Sequence, residues 1–167
     1  MSSDEQNVDE VGAPRWLNSD ELAAWRSFTL LVARLPAALE QQLQRDSYLS
    51  VVEYHVLVGL AEAPDRRIRM SVLAALAGSE LSRMSHLVKR LEKRGLVRRE
   101  PDPTDGRYTL AILTDQGGNY LAAAAPGHVD EVRRLVVDVL AAEELSALGA
   151  IAARLNERLD EVSGPGS

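Results

Sequence analysis

The sequence predicts a mainly α-helical protein that carries one small β-hairpin. Apolar residues recur every three or four positions in several long segments, which is the period of an amphipathic helix. Two short segments, 96–100 and 107–113, flank a loop rich in Pro, Asp and Gly, and the second alternates in polarity as a half-buried strand does. Residues that favour helix caps precede several of the helical segments.

Composition indicates one soluble, globular domain. The 167 residues are 46% apolar and 26% charged, within the range of ordinary globular proteins. The absence of cysteine excludes disulfides, thiolate metal sites and thiol-based redox sensing. No apolar run approaches the roughly 20 residues of a membrane span, and the polar, acidic N-terminus is unlike a signal peptide. We therefore expect a cytoplasmic protein with no membrane partner.

The first helix is expected over about 18–44. Residues 1–14 lack periodicity and predict a flexible tail. Asn18 and Glu21 have the spacing of a capping box. Pro36 lies inside the helical pattern and is expected to kink it.

The middle of the chain predicts a compact series of short elements. Ser50 and Glu53 form a second capping box, and Gly78 and Gly95 stand where helices end. The expected elements are a helix over about 51–62, a strand at 68–70, a helix over 72–77 capped by Ser71, and a helix over 81–94.

The helix over 81–94 separates its residue types cleanly between two faces. Its apolar stripe is Leu81, Met84, Leu87, Val88 and Leu91. The other face carries small polar and basic side chains, namely Ser82, Arg83, Ser85, His86, Lys89, Arg90, Lys93 and Arg94.

Two further helices are expected after the hairpin. Thr114 caps a helix that reaches Ala125, is interrupted at Pro126-Gly127, and resumes as far as Leu140. The last helix is expected over 143–162, with an apolar stripe along five turns. His128 follows the interruption and is expected to face solvent.

Positive charge is concentrated in one stretch of an acidic chain. Residues 66–107 contain eleven Arg or Lys and five Asp or Glu, a net charge of +6, whereas the whole chain carries −6. Such a block suggests a local site for a polyanion, although a solvated charged face is an equal alternative from charge alone.

A helix, a short turn, a second helix and a hairpin form a winged helix-turn-helix, here a lobe over about 51–113. A helix fits the DNA major groove, where Lys and Arg meet phosphates and small side chains permit approach to base edges. The helix over 81–94 taken alone is more often an amphipathic helix on a core. The basic hairpin directly downstream favours double-stranded DNA as the partner.

Four segments together resemble the MarR family of bacterial transcriptional regulators: 73–78, 82–99, Asp102-Pro-Thr-Asp-Gly-Arg107 and Leu113-Thr-Asp-Gln-Gly117. The resemblance implies a single domain over 15–162 that forms a homodimer through helices at about 18–44 and 115–162. It also implies a recognition helix in the major groove, a minor-groove arginine at Arg107 oriented by Asp105, and small, often aromatic, anionic effectors. Members place Ser or Thr where this chain has Glu80, so we expect Ser79 to cap the recognition helix.

Candidate ligand-binding residues are aromatic or imidazole side chains in the first third of the chain. Trp25, Phe28, Tyr48 and His55 could line an effector pocket. The alternative, which we favour for Trp25 and Phe28, is that they fill the helix stripe and a dimer core. His55 is more often a half-buried structural residue. His55, His86 and His128 lack metal-ligand spacing, so no metal site is expected.

The sequence favours a DNA-binding repressor relieved by a small ligand. The predicted DNA-binding residues are Ser82, Arg83, Ser85, His86, Lys89, Arg90, Asp105 and Arg107. We find no nucleophile–base pair, phosphate loop or cofactor motif, so neither catalysis nor a cofactor is expected. The alternative function is a winged-helix dimerisation module that does not bind DNA.

Overall fold

The computed structural model describes residues 14–162, and this part of the chain forms six α-helices and three β-strands. The predicted tail at 1–14 lies outside the described residues except for Pro14. The helices are α1 (Ser19–Ser47), α2 (Val51–Glu62), α3 (Met70–Leu76), α4 (Leu81–Lys93), α5 (Asp115–Leu135) and α6 (Ala142–Val162). The strands are β1 (Arg67–Arg69), β2 (Val97–Asp102) and β3 (Asp105–Leu113).

The first of two compact units ends at Arg34 and contains the N-terminal part of α1. Its capping box is confirmed: Asn18 Oδ1 accepts the Glu21 N–H at 3.0 Å, and Glu21 Oε2 accepts the Asn18 N–H at 2.9 Å. α1 continues through Pro36 as one helix and ends three residues later than expected.

α1 is a long helix with an apolar stretch. It contains an 18-residue window of mean hydropathy 1.2, long and apolar enough to cross a membrane, and none of that window is buried. Helices that pair with other helices have the same length and composition.

The second unit begins at Leu35 and holds the buried core. The capping box of α2 is confirmed, because Ser50 Oγ accepts the Glu53 N–H and Glu53 Oε2 accepts the Ser50 N–H, both at 3.0 Å. α2 and α4 contribute most of the fully buried large side chains. These are Leu43, Leu49, Leu57, Leu60, Met84, Val88, Leu91, Leu96 and Val97.

The three strands form an antiparallel sheet in the order β1-β3-β2. β3 pairs with β2 from Val97↔Leu113 to Asp102↔Asp105, so the hairpin extends closer to its tip than the sequence predicts. β1 pairs only with residues 110–112 of β3. The outer part of the hairpin, at 105–109, is therefore a two-stranded ribbon.

Two predicted helix caps are wrong. α3 begins at Met70 after Arg69, so Ser71 lies inside its first turn and does not cap it. The N-cap of α4 is Glu80, whose side chain makes no capping bond, and Ser79 only donates to the Glu80 carbonyl at 3.4 Å. The predicted C-terminal glycine is confirmed, since Gly95 has φ +73°.

A tight junction joins α4, the sheet and α5. Thr114 Oγ1 accepts the Gly117 N–H at 2.9 Å, as its predicted capping role requires, and donates to the Gly95 carbonyl at 2.7 Å. A Cβ at position 117 would overlap the carbonyl oxygen of Leu96. Only glycine fits there, which gives the Leu-Thr-x-x-Gly motif a steric basis.

α5 runs through Pro126 without the predicted interruption and carries His128 into the protein interior. His128 is 7% exposed, against the expectation that it faces solvent. Its Nδ1 lies 3.2 Å from Gln42 Oε1, and its ring centroid lies 4.3 Å from that of Tyr54. Burial is the main cause that lowers the His128 pKa, and the nearby His55 lowers it further.

Candidate nucleic-acid interface

The exposed face of α4 follows from how α4 packs. Met84, Val88 and Leu91 are buried in the core, so the residues on the opposite side of the helix project outward. Ser82, Arg83, His86, Lys89 and Arg90 are exposed, and Ser85 is half-buried. This face offers hydroxyl, imidazole and cationic donors.

Arg90 differs from its neighbours because it is already paired within the protein. Its Nε donates to Glu53 Oε1 at 3.3 Å, while 60% of its side chain stays exposed. Glu53 is 6% exposed and comes from α2. The sequence identified Glu53 only as a helix cap, since no local pattern links it to a residue on α4.

Arg94 fixes the end of α4 to three other elements, a role that the sequence did not reveal. Its Nη1 donates to the carbonyl of Tyr48 at 3.0 Å and lies 3.9 Å from Glu53 Oε2. Its Nη2 donates to the Tyr120 hydroxyl at 3.0 Å, and that hydroxyl donates to the carbonyl of Ser47. The helix is thus held at its C-terminal end by α1, α2 and α5.

The hairpin of β2 and β3, residues 97–113, which we call the wing, presents at its tip a cation of fixed direction. Arg107 Nε donates to Asp105 Oδ1 at 3.0 Å, and Arg107 Nη2 donates to Asp105 Oδ2 at 2.7 Å. The Arg107 side chain remains 84% exposed. These bonds lower the pKa of Asp105 and raise that of Arg107, so both groups are charged at neutral pH.

A second ion pair joins the end of β1 to the tip end of the hairpin, and the sequence did not identify it. Arg69 Nε donates to Asp102 Oδ2 at 2.6 Å. Asp102 Oδ1 accepts the backbone N–H of Thr104 at 2.8 Å and its hydroxyl at 2.7 Å. The two partners are 33 positions apart in the chain, so no short motif could have revealed the pair.

α4 and the wing share an open cavity of about 220 Å³. Ser85 of α4 and Arg107 of the wing both line it, together with Leu81, Arg99 and Tyr108. The predicted residues on α4 and on the wing therefore border one concave surface. Arg99 is paired with Glu92, because Arg99 Nη2 donates a hydrogen bond to Glu92 Oε2 at 2.7 Å.

The predicted ligand-binding residues are divided between the two units. Trp25 and Phe28 belong to the first unit, where they are 54% and 44% exposed and their ring centroids lie 6.0 Å apart. Tyr48 and His55 belong to the second unit and are exposed. His55 lines a small apolar groove of about 70 Å³ with Leu73 and Leu76.

The chain is similar to known transcriptional regulators. The family model described as MarR family matches residues 49–107. The Transcriptional regulator HosA of Escherichia coli O111:H- is 38% identical over 78 residues, which are 47% of this chain and 56% of HosA. The chain thus matches about half the length of the curated relatives.

Two solved structures match most of the chain. Sco3205, a MarR family transcriptional regulator from Streptomyces coelicolor solved in complex with DNA, is 48% identical with a TM-score of 0.85, covering 88% of this chain and 92% of Sco3205. AbsC, a MarR family transcriptional regulator from the same organism, is 38% identical with a TM-score of 0.84, covering 89% of this chain and 99% of AbsC.

Proposed function

The chain belongs to the MarR family of transcriptional regulators, and we propose that it represses transcription as a homodimer bound to a pseudo-palindromic operator. One observation carries this proposal: the cation-rich face of α4 and the Arg107 wing border the same open surface. The family consists of regulators rather than enzymes, in keeping with the lack of a catalytic motif in the sequence. A repressor of this kind acts on chromosomal DNA in the bacterial cytoplasm.

α4 is the proposed recognition helix, seated in the major groove. A helix fits this groove, whose base edges present donors and acceptors that side chains can read. Ser82, Arg83, Ser85 and His86 occupy the N-terminal half of the exposed face, which is the half that contacts bases in helix-turn-helix proteins. Lys89 and Arg90 lie further along and suit phosphate contacts, which position the protein without reading sequence.

The wing is proposed to enter the adjacent minor groove through Arg107. A narrow minor groove has an enhanced negative potential that attracts a guanidinium. Asp105 already holds this guanidinium through two of its nitrogens, so little side-chain freedom remains to be lost on binding. The similar protein Sco3205 was solved in complex with DNA, which supports DNA as the partner of this chain.

Homodimer formation is proposed through α1 and α6. None of the residues of α6 is buried, although its stripe contains Leu148, Ile151 and Leu155 at 38–47% exposure. The N-terminal part of α1 likewise exposes Trp25 and Phe28. Apolar surfaces of this extent on a soluble protein mark an interface, and a two-fold dimer would present two α4 helices to a two-fold operator.

Relief by a small ligand is the final part of the proposal. The predicted ligand-binding residues Trp25, Phe28, Tyr48 and His55 all have exposed side chains. In either unit, an exposed aromatic ring could stack on an aromatic acid, and an exposed imidazole could donate a hydrogen bond to its carboxylate. A screen of small aromatic acids for a rise in melting temperature identifies such a ligand.

The decisive experiment is footprinting of the full-length chain on the DNA directly upstream of its own coding sequence. We expect two protected half-sites, with centres about one helical turn, or about 10 base pairs, apart. Binding is expected to weaken steeply as salt rises, because Lys and Arg displace condensed counterions. A folded dimer that protects no DNA at low salt would contradict the proposal and favour the dimerisation module that does not bind DNA.

A further inference from the structure

The outer part of the wing lacks the support that the sheet gives to its base. β1 pairs with β3 only at residues 110–112, so residues 105–109 have only β2 beside them. There the pairing passes from Pro101↔Thr109 directly to Asp102↔Asp105 across a bulge. Isolated two-stranded ribbons are marginally stable in water. A cation that must enter a groove at a defined position therefore needs a further restraint on this ribbon.

Arg69, the last residue of β1, supplies a side chain that extends beyond the end of its strand. Its guanidinium carbon lies 4.6 Å from the centre of the Tyr108 ring on β3. The same guanidinium reaches β2, where Nε donates to Asp102 Oδ2 at 2.6 Å, and the turn that follows, where Nη2 donates to Thr104 Oγ1 at 3.3 Å. One side chain thus bridges all three strands at the level where the backbone ladder of β1 has ended.

Asp102 is a rigid anchor for this bridge. Asp102 is 6% exposed. Its Oδ1 accepts hydrogen bonds from both the N–H and the hydroxyl of Thr104, and these bonds fix the turn at the wing tip. The Thr104 hydroxyl, the Thr104 N–H and Arg69, in decreasing order, lower the pKa of Asp102 to about 2. The carboxylate is therefore ionised throughout the physiological pH range.

We propose that Arg69 is a positioning residue for the DNA contact of Arg107, acting by clamping the wing through Asp102, Thr104 and Tyr108. The inference rests on the proposed entry of Arg107 into the minor groove. Tyr108 adjoins Arg107 on β3, so a restraint on its ring also restrains the backbone that carries Arg107. Arg69 acts by ordering the ribbon before DNA arrives, which lowers the entropic cost of binding.

Two other roles for Arg69 lead to different results. A direct phosphate contact depends on positive charge, so lysine would largely replace arginine, and losing the charge would reduce the salt slope by about one. A purely stabilising role would lower the melting temperature without altering the affinity of the folded protein. Clamping requires the planar fork and the stacked face of a guanidinium, neither of which lysine provides.

The test is a double-mutant cycle on full-length protein, with affinity measured by fluorescence anisotropy. The probe is a labelled duplex of about 30 base pairs, long enough for two half-sites, selected from a random pool by the wild-type protein. The cycle combines Arg69→Lys with Arg107→Ala, and circular dichroism establishes that every variant is folded at the assay temperature. Arg133→Lys is the matched control, because Arg133 also pairs with an aspartate, Asp138 at 2.6 Å, on an element outside the wing.

We expect Arg69→Lys to weaken binding about tenfold, equivalent to about 1.4 kcal/mol, with an unchanged salt slope. In the Arg107→Ala background the same substitution should change affinity by less than about twofold, because a residue that acts only through Arg107 has nothing left to position. Arg133→Lys should bind as wild type. If Arg69→Lys does not fold, Asp102→Asn takes its place in the cycle and removes the charged acceptor of the same clamp.

Three outcomes overturn the inference. Wild-type affinity for Arg69→Lys, with Arg107→Ala weakened, rejects the clamp alone and leaves the proposed function intact. Independent losses that add fully in the double variant assign Arg69 a separate DNA contact. Unchanged affinity for Arg107→Ala rejects the wing contact itself, and the clamp with it.

Discussion

Glu53 of α2 and Arg90 of α4 are 37 positions apart in the sequence, yet Glu53 Oε1 accepts a hydrogen bond from Arg90 Nε at 3.3 Å. The other oxygen of the same carboxylate closes the capping box on the N–H of Ser50. A single buried side chain therefore starts α2 and also contacts the exposed face of α4. The helix proposed to read DNA is linked directly to the helix behind it.

This arrangement predicts unequal effects from removing the two partners. Glu53→Ala should lower the free energy of unfolding by about 1–3 kcal/mol, because it removes a capping bond and a buried charged acceptor. Arg90→Ala should change stability by less than about 0.5 kcal/mol, since its side chain is 60% exposed. Urea denaturation of both variants measures the difference, and equal losses would show that the Glu53–Arg90 contact, rather than the cap, dominates.

Substitution of Arg107 or Asp105 should reduce DNA affinity without reducing the stability of the fold. Arg107→Ala should weaken operator binding by about 1–3 kcal/mol, the scale of one specific contact. Its melting temperature should barely change, because the side chain is 84% exposed. Asp105→Ala should weaken binding less, through lost orientation of a cation that is still present. Anisotropy at physiological salt checks both, and an unaltered affinity for Arg107→Ala would remove the wing from the mechanism.

The exposed stripe of α6 predicts the oligomeric state. The wild-type protein should sediment as a dimer of about 36 kDa, twice the 18.2 kDa chain. Ile151→Asp should shift the protein towards monomer, because it places a charge in the proposed apolar interface. Ala153→Asp, which lies on the opposite face of the same helix by its spacing, should remain dimeric. A stable wild-type monomer at micromolar concentration would contradict the prediction.

His128 predicts loss of stability in mild acid. Its pKa is lowered from 6.5 in the folded protein, so the unfolded chain binds the proton more readily. Stability is therefore greatest above pH 6.5 and falls as the pH drops from 6.5 towards the folded pKa. His128→Gln should flatten the melting temperature across this range, whereas His86→Gln, an exposed control, should not. Identical pH profiles for wild type and His128→Gln would exclude His128 as the source.

Local interactions made most of the fold predictable from sequence. The capping boxes at Asn18 and Ser50, the Thr114 cap and the Gly95 turn depend on residues within a few positions of one another. They could be identified without knowledge of tertiary structure. The burial of His128 could not, because it depends on α5 continuing through Pro126 and packing against Gln42, 86 positions earlier in the chain.

In the candidate site, too, local features could be predicted from sequence and long-range contacts could not. The polar face of α4 and the Asp105–Arg107 pair follow from helical spacing and a two-residue separation, so sequence identifies them. The contacts that hold this surface join residues 33 to 46 positions apart, as in Arg69–Asp102 and Arg94–Tyr48. Their formation depends on the packing of strands and helices that no short pattern encodes.

Thr114 alone separates the end of β3 from the start of α5. Its hydroxyl is hydrogen-bonded to the carbonyl of Gly95 and to the N–H of Gly117. These two bonds couple the orientation of α5 to that of the sheet. α5 has 21 residues, which makes it a lever about 30 Å long. Pivoting the helix by about 5° displaces its far end by about 3 Å over that length. A shift of a few ångströms at the far end would therefore rotate the wing and α4. Two such rotations in a dimer would change the spacing between its proposed recognition helices.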